Sequence, residues 1–502
     1  LSLFINGRRF IGFGGNWGFG ESNLNYRERE YDIAVAYHAD MNFTMIRNWV
    51  GQIGDKEFYE ACDRHGIMVW QDFWLANPVD GPNPYYTEMF NANACDYLKR
   101  IRNHPSIGIY VGRNEGNPPA GIDDYLRGLV FREHPGLYYI SNSAMGVVSG
   151  GGPYRALSPK SYFQSYGHDK FHSERGMPNV MNYESMLLTF GTDKIEPVNT
   201  SETPNPVYGL HDYTLGGGKG SSAQAASSFN DMIEKAFGRP RDAKQFAEWA
   251  QWINYDGYRA IFEGRSEHRR GMLLWMSHSA WPSMVWQTYD YYFDPNAAYF
   301  GCKKASEPLH IQWNPLRDDI EVVNYHAFDR TGLTATASLF NQDGTLQWTR
   351  ETKLDIKEDQ TVACFPLEQP ETLSDTYFIK LSLTDSDGKQ LSDNFYWRGK
   401  EDGNYKSLLQ LPKVSVCKNV TVKKTGKEWL IRAVLKNEAR TPALMLRLKV
   451  AGEKSGRMLL PVFYSDNYFS LLPGEVKEVD IRLYDADTYG EKPVLEVLGF
   501  NL

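Results

Sequence analysis

Two patterns of apolar and polar positions divide this chain. From Phe10 to about Pro308, short apolar runs alternate with stretches whose apolar residues recur at helical spacing. The runs are Phe10 to Phe13, Thr44 to Ile46, Met68 to Trp70, Ile107 to Val111, Leu137 to Ile140, Tyr162 to Gln164, Lys170 to His172 and Met272 to Trp275. Between the second and third of these, Lys56 to His65 reads as a helix, and between the third and fourth so does Phe90 to Asn103. That alternation is the βαβ grammar of a parallel sheet, and eight such units predict one (β/α)8 TIM barrel over 1–312. The last two strands are far apart, since Glu174 to Trp275 is 275 − 174 = 101 positions, so an insertion is expected there. It contains the Gly/Ser-rich Leu215 to Ser228 and a helix from Asp242 to Phe262, with Phe246, Trp249, Ala250 and Ile253 on one face. Gly216 to Lys219 superficially matches a phosphate-cradling loop, but no strand precedes it, which excludes that reading.

Beyond about Pro315 the period changes to two. Ile320 to Phe328, Leu333 to Phe340, Thr361 to Pro366 and Thr376 to Thr384 alternate with turns such as Asn341 to Gly344. A second set runs from Val414 to Gly499, after the polar link Gly399 to Lys406. The pattern predicts two all-β immunoglobulin-like sandwiches, over 313–400 and 401–502.

Composition narrows the function. The 502 residues carry a formal net charge of −8 with a pI near 5.8, and no run of five like charges, so no nucleic acid or other polyanion is expected as a partner. No stretch of eighteen apolar residues exists, so no membrane insertion is expected. The chain opens at Leu1 directly into an apolar run, Leu3 to Phe13, that reads as a domain already under way. Five cysteines lie far apart with no metal-binding or redox spacing, and eleven histidines form no ligand cluster; His168 and His172 share only a four-residue spacing. Neither a metal nor another cofactor is expected. Thirteen Trp and thirty-one Tyr supply flat amphipathic rings of the kind that stack on sugars, although most such rings serve cores.

The candidate chemistry sits at two strand tips. Ile107 to Val111 ends in Asn114-Glu115, followed at once by Gly116, Pro118 and Pro119, so Glu115 falls on the rim where barrel enzymes collect catalytic groups. Glu174 ends a second short strand before Gly176 and Pro178. The spacing, 174 − 115 = 59 positions, leaves room for two compact units and puts the pair on the fourth and seventh strands. Two carboxylates flanking an anomeric carbon are what glycoside hydrolysis by the usual route requires.

The run Arg102-Asn-His-Pro-Ser-Ile107 with Asn114-Glu115 resembles the acid/base signature of glycoside hydrolase family 2, a family of retaining β-glycosidases. Ser173-Glu174-Arg175-Gly176 resembles the nucleophile segment of its β-mannosidases and their relatives, and the segments Met45 to Trp49, Glu57 to Asp63 and Gly66 to Phe73 resemble their second and third strands. Trp275, Trp281-Pro282 and Trp286 to Asp290 look like the eighth strand and its loop; Ser465 to Pro473 resembles the last domain of the branch holding β-mannosidases, exo-β-glucosaminidases and endo-β-mannosidases. The resemblance implies Glu115 as general acid/base, Glu174 as nucleophile, and Asn114 as donor to the sugar's 2-substituent. It further implies that Arg47 and Tyr166 hold the nucleophile, that Trp275 floors the subsite, and that Trp49 and Asp72 meet the outer hydroxyls. For Arg47 and Asp72 a structural ion pair is the alternative, and for Trp275 a plain core position.

In the family a jelly-roll sugar-binding domain and a further immunoglobulin-like domain precede the barrel; neither is found here, and they are expected to complete the pocket. The implied function is a retaining β-glycosidase, exo-acting on β-mannosides or β-glucosaminides in a β-linked oligosaccharide or glycan, and periplasmic or secreted rather than cytoplasmic. The alternatives are a β-galactosidase or β-glucuronidase of the same family, or a non-catalytic carbohydrate-binding scaffold.

Overall fold

The structure, a computed structural model, describes residues 1–164, 169–215 and 226–502. It opens with a hairpin, β1 (Leu3–Ile5) and β2 (Arg8–Phe10), turned by Asn6 and Gly7, both at positive φ. The barrel follows as β3 (Phe13–Trp17), α1 (Glu28–Asp40), β4 (Met45–Asn48), α2 (Lys56–His65), β5 (Met68–Asp72), α3 (Thr87–Ile101), β6 (Ile107–Arg113), α4 (Ala120–Glu133) and β7 (Tyr138–Asn142). It continues with β8 (Val148–Ser149), α5 (Pro159–Phe163), β9 (Phe171–Arg175), the helices α6 (Tyr183–Phe190), α7 (Pro206–Gly209), α8 (Ser227–Phe237) and α9 (Ala243–Glu263), then β10 (Met272–Leu274) and α10 (Ala297–Ala305). Strands β3 to β10 form one curled parallel sheet in the order β7-β6-β5-β4-β3-β10-β9-β8, so first and eighth strands pair; among the described residues no ladder joins β7 to β8. Inside it Met45, Trp70, Ile109, Val111, Ile140, Val148, Phe171 and Leu273 pack together, with Leu3 and Phe10 of the hairpin against them. Bulky layers of this kind make a barrel interior a core rather than a pore.

Two strands lie elsewhere than their patterns predicted. Phe10 to Phe13, expected as the first barrel strand, runs from the end of β2 to the start of β3, because Arg8 to Phe10 is taken up by the hairpin with β1. Tyr162 to Gln164, expected as the sixth strand, falls in and just after the helix α5, which starts at Pro159 where proline's fixed φ suits a first helical turn. The sixth strand is instead β8, two residues between Gly146 and Gly150, too short to leave a periodic signal. The expected helix at 242–262 is α9, whose N-cap Asp242 accepts from the Gln245 backbone N–H at 2.8 Å. The phosphate-loop lookalike at 216–219 lies outside the described residues.

The first sandwich pairs β11 (Leu309–Asn314), β12 (Asp319–Asn324) and β15 (Gln360–Pro366) against β13 (Arg330–Asn341), β14 (Leu346–Ile356), β16 (Thr376–Thr384) and β17 (Gln390–Gly399). Its first strand begins at Leu309 rather than at 313, because Pro308 leads from α10 straight into the strand without a polar linker. The second has β18 (Val416–Thr425), β19 (Glu428–Asn437), β21 (Val462–Tyr464) and β23 (Val476–Tyr484) facing β20 (Ala443–Gly452), β22 (Phe469–Leu471) and β24 (Pro493–Leu498). Both dock on α9. Arg259 donates to Asn394 Oδ1 and the Phe395 carbonyl, Arg398 pairs with Asp256 at 2.9 Å, and Trp252 meets Trp397 edge-on at 4.7 Å and Phe500 at 5.0 Å. The helix is therefore buried nearly all round, polar residues included. No helix among the described residues is long and apolar enough to cross a membrane.

Candidate active site

Strand periodicity delivers the site. Met45 of β4 and Trp70 of β5 belong to the inner core, so Arg47 and Asp72, two residues on, face the same interior one layer nearer the rim. In β9 the pairing with β10 shifts between His172 and Arg175, where two residues of β10 span three of β9. That extra residue resets the alternation, so both Phe171 and Glu174 face inward. Glu115 lies two residues past β6 with φ of 47°, a left-handed conformation that is costly for a residue with a side chain. Its backbone N–H donates to Ser143 Oγ at 3.0 Å, which helps hold that turn.

Arg47, fully buried, is the hub. Its Nη1 donates to Glu174 Oε1 at 2.6 Å, its Nη2 to Asp72 Oδ2 at 2.6 Å and to Asn114 Oδ1 at 2.8 Å, and its Nε to Asp72 as well. The planar fork of a guanidinium grips Asp72 through two nitrogens while reaching Asn114 and Glu174, a spread of donors that a compact ammonium lacks. Glu174 receives a second donor on its other oxygen, Tyr154 Oη at 2.7 Å. Burial pushes the Glu174 carboxyl up to about 7; the Arg47 charge and the Tyr154 hydroxyl pull it down, while a charge on Glu115 adds to the rise. The two glutamates thus feel each other across the barrel mouth. Asn77 Nδ2 donates to Glu115 Oε2 at 3.2 Å.

Ser149 to Pro153 links the two carboxylates. A Cβ built on Gly151 would stand 3.4 Å from Glu115 Oε1, and the Gly152 N–H donates to the Glu174 carbonyl at 3.1 Å. His172, buried, pins this loop by contacts of its two ring nitrogens with Gly152 O and Ser149 Oγ, both at 2.8 Å. Since a carbonyl only accepts, Nε2 carries the proton and Nδ1 accepts from the serine; burial, with the Arg265 and Arg175 charges, holds the ring neutral by pushing it down to about 3.

The structure therefore gathers Arg47, Asn114, Glu115 and Glu174 into one network. Trp49 and Trp275 stand edge-on at 5.0 Å, both half-buried at the ends of β4 and β10, and the Trp49 indole N–H finds no hydrogen-bond partner among the described residues. Asp72 is not at the outer hydroxyls as expected. It has no exposed surface, and its oxygens are taken by Arg47, Trp70 Nε1 and the Val50 N–H, so the alternative ion-pair reading describes it. Tyr166 lies outside the described residues. The hydroxyl found on Glu174 belongs to Tyr154, which sequence reasoning missed, as it missed Asn77, Ser143 and His172. The cluster Gly150-Gly151-Gly152-Pro153 just before Tyr154 was the available signal, a chain-breaking loop shortly upstream of a strand that ends in a carboxylate. Among the described residues no group of His, Cys, Asp or Glu could hold a metal ion. A cavity of about 820 Å³ lies away from these carboxylates, between α6, α9 and the second sandwich.

A curled eight-stranded parallel sheet thus carries two glutamates on its rim, and relatives of the chain are named as glycosidases. The chain is 27% identical over 99% of its length to mannosylglycoprotein endo-β-mannosidase of Lilium longiflorum and 28% identical, again over 99%, to exo-β-D-glucosaminidase of Streptomyces avermitilis. It spans 63% and 60% of those proteins' lengths. Residues 394–502 match the exo-β-D-glucosaminidase Ig-fold domain family. In fold it is similar to the exo-chitosanase CsxA of Amycolatopsis orientalis, with a TM-score of 0.88 at 24% identity over 100% of this chain and 64% of that one. The β-D-mannosidase of Dictyoglomus thermophilum follows with a TM-score of 0.78 at 20% identity, covering 99% of this chain and 61% of that one. These names agree with the resemblance to glycoside hydrolase family 2 that the sequence motifs carry.

Proposed function

We propose that the protein is a retaining β-glycosidase, exo-acting on β-mannosides or β-glucosaminides, with Glu174 as nucleophile and Glu115 as acid/base. The observation that carries this is the unequal setting of the two carboxylates. Glu174 has a donor aimed at each of its two oxygens, Arg47 and Tyr154, which fix the carboxylate and offset part of the burial that raises it, whereas Glu115 stands on the rim with one amide partner. Glu174 attacks the anomeric carbon, the bond to the leaving oxygen breaks, and Glu115 gives that oxygen its proton. Glu115, now a carboxylate, takes a proton from water, whose oxygen displaces Glu174. Asn114, its carbonyl oxygen held by Arg47 and Ser143, keeps its NH2 for the sugar's 2-substituent. The names of the relatives support the choice of sugars.

Azide tests the roles in the full-length protein on an aryl β-glycoside with a good leaving group. Glu174→Ala opens the α face, so azide should give the α-glycosyl azide; Glu115→Ala still forms the covalent intermediate, so azide should give the β product. Reversed products swap the roles, and full activity in either variant ends that assignment.

A further inference from the structure

A general acid must lie on the leaving-group side of the scissile bond, so the surface continuous with Glu115 is where the rest of a substrate runs. That surface is the loop from β5 to α3, and it is built rigidly onto the acid/base. Asn77 donates to Glu115, Pro78 stands 3.0 Å from where a Cβ on Gly116 would be, and Arg113, two residues before Glu115, donates to Ala76 O at 2.7 Å and to Asn83 Oδ1 at 2.7 Å. Tyr85 follows Asn83 by two residues, about 7 Å of chain at most. Tyr85 is 87% exposed and Tyr86, the N-cap of α3, is 72% exposed, on the barrel end where strands finish and helices begin. Both phenol rings thus stand open to solvent on a loop whose Asn77 and Asn83 are hydrogen-bonded to Glu115 and Arg113.

Resting on the glycosidase reading, we propose that Tyr85 and Tyr86 form a stacking platform for the leaving-group side of a β-linked oligosaccharide, beyond the sugar next to the cleaved bond. Flat rings with a polar edge suit the apolar faces of pyranose rings. The occupant is a glycan rather than a protein because the loop is tied by Asn77 and Arg113 to the proton donor, and so stands on the side from which the cleaved sugar departs.

The test compares two substrates of the sugar selected by a glycoside screen: its β-glycosyl fluoride, which has no sugar on the leaving side, and its β-1,4-linked trisaccharide. In the full-length protein, Tyr85→Ser with Tyr86→Ser should lower the ratio of kcat/KM on the trisaccharide to that on the fluoride about ten-fold, chiefly through KM, the scale of one to two aromatic stacking contacts. An unchanged ratio overturns the platform, whether or not the melting temperature falls. A wild-type protein that turns over neither substrate overturns the glycosidase reading itself, whereas turnover of both with an unmoved ratio removes only the platform.

Discussion

Tyr154 donates its phenolic hydrogen to Oε2 of Glu174 at 2.7 Å, from a glycine-rich loop that also touches Glu115. A hydroxyl that stabilises the carboxylate lowers its pKa, so removing it raises the pH at which Glu174 becomes charged. Tyr154→Phe should therefore move the acidic limb of kcat/KM to higher pH and cost about 10–100-fold in kcat, the range of a charge-assisted hydrogen bond. A pH profile on an aryl glycoside decides, and an unmoved limb removes Tyr154 from the nucleophile's support.

Glu115 acts on the same titration with the opposite sign. Its negative charge disfavours a second charge on Glu174, whose carboxyl stands at about 7. Glu115→Gln removes that repulsion, so the acidic limb should fall to lower pH. The measurement is the rate of the first step on a dinitrophenyl glycoside, which needs little proton donation. A limb that rises, or stays, would place the two carboxylates too far apart to act together.

Arg47 neutralises two buried carboxylates at once. Breaking a buried ion pair from one side strands the partner's charge, so Arg47→Ala should destabilise the protein by about 3–5 kcal/mol in denaturant titration. Arg47→Lys should keep most of the fold and lose activity, because a compact ammonium cannot reproduce the two-nitrogen grip on Asp72 while reaching Asn114 and Glu174. Wild-type kinetics in the lysine variant would make Arg47 a purely structural cation.

Exhaustive chelation should leave activity on an aryl glycoside unchanged, since both steps run on carboxyl groups and water alone. Loss under EDTA that zinc restores would point to a metal-assisted hydrolysis.

The legible part of this protein is what repeats or what breaks a repeat. Ile107 to Val111 before Asn114-Glu115, and Phe171 before Glu174, are apolar runs cut by Gly and Pro, and so the strands, the paired glutamates and the order of the units could be read from the chain. Arg47 came from the resemblance of Met45 to Trp49 to a family segment, and the structure places it two residues along from a core methionine. Tyr154 could not be read, because what aims it is a loop conformation set by Gly150 to Pro153 and a buried histidine, none of which has a period. The sixth strand is lost for the same reason, since two residues cannot show alternation. Asp72 was misplaced because a sequence pattern says which face a residue takes but not how deep it sits.

Helix α9 gives the molecule a property that no single domain would have. Its Asp256, Arg259 and Glu263 find their partners in Arg398, Asn394 and His310, all beyond the barrel. A barrel cut free after α10 would have to hydrate those charges on a helix otherwise sunk in apolar side chains, and it would lose the Trp252 contacts with Trp397 and Phe500. The chain should then melt in one cooperative step rather than domain by domain, and a protease that nicks the polar stretch at 399–406 should leave the pieces associated instead of releasing a trimmed enzyme.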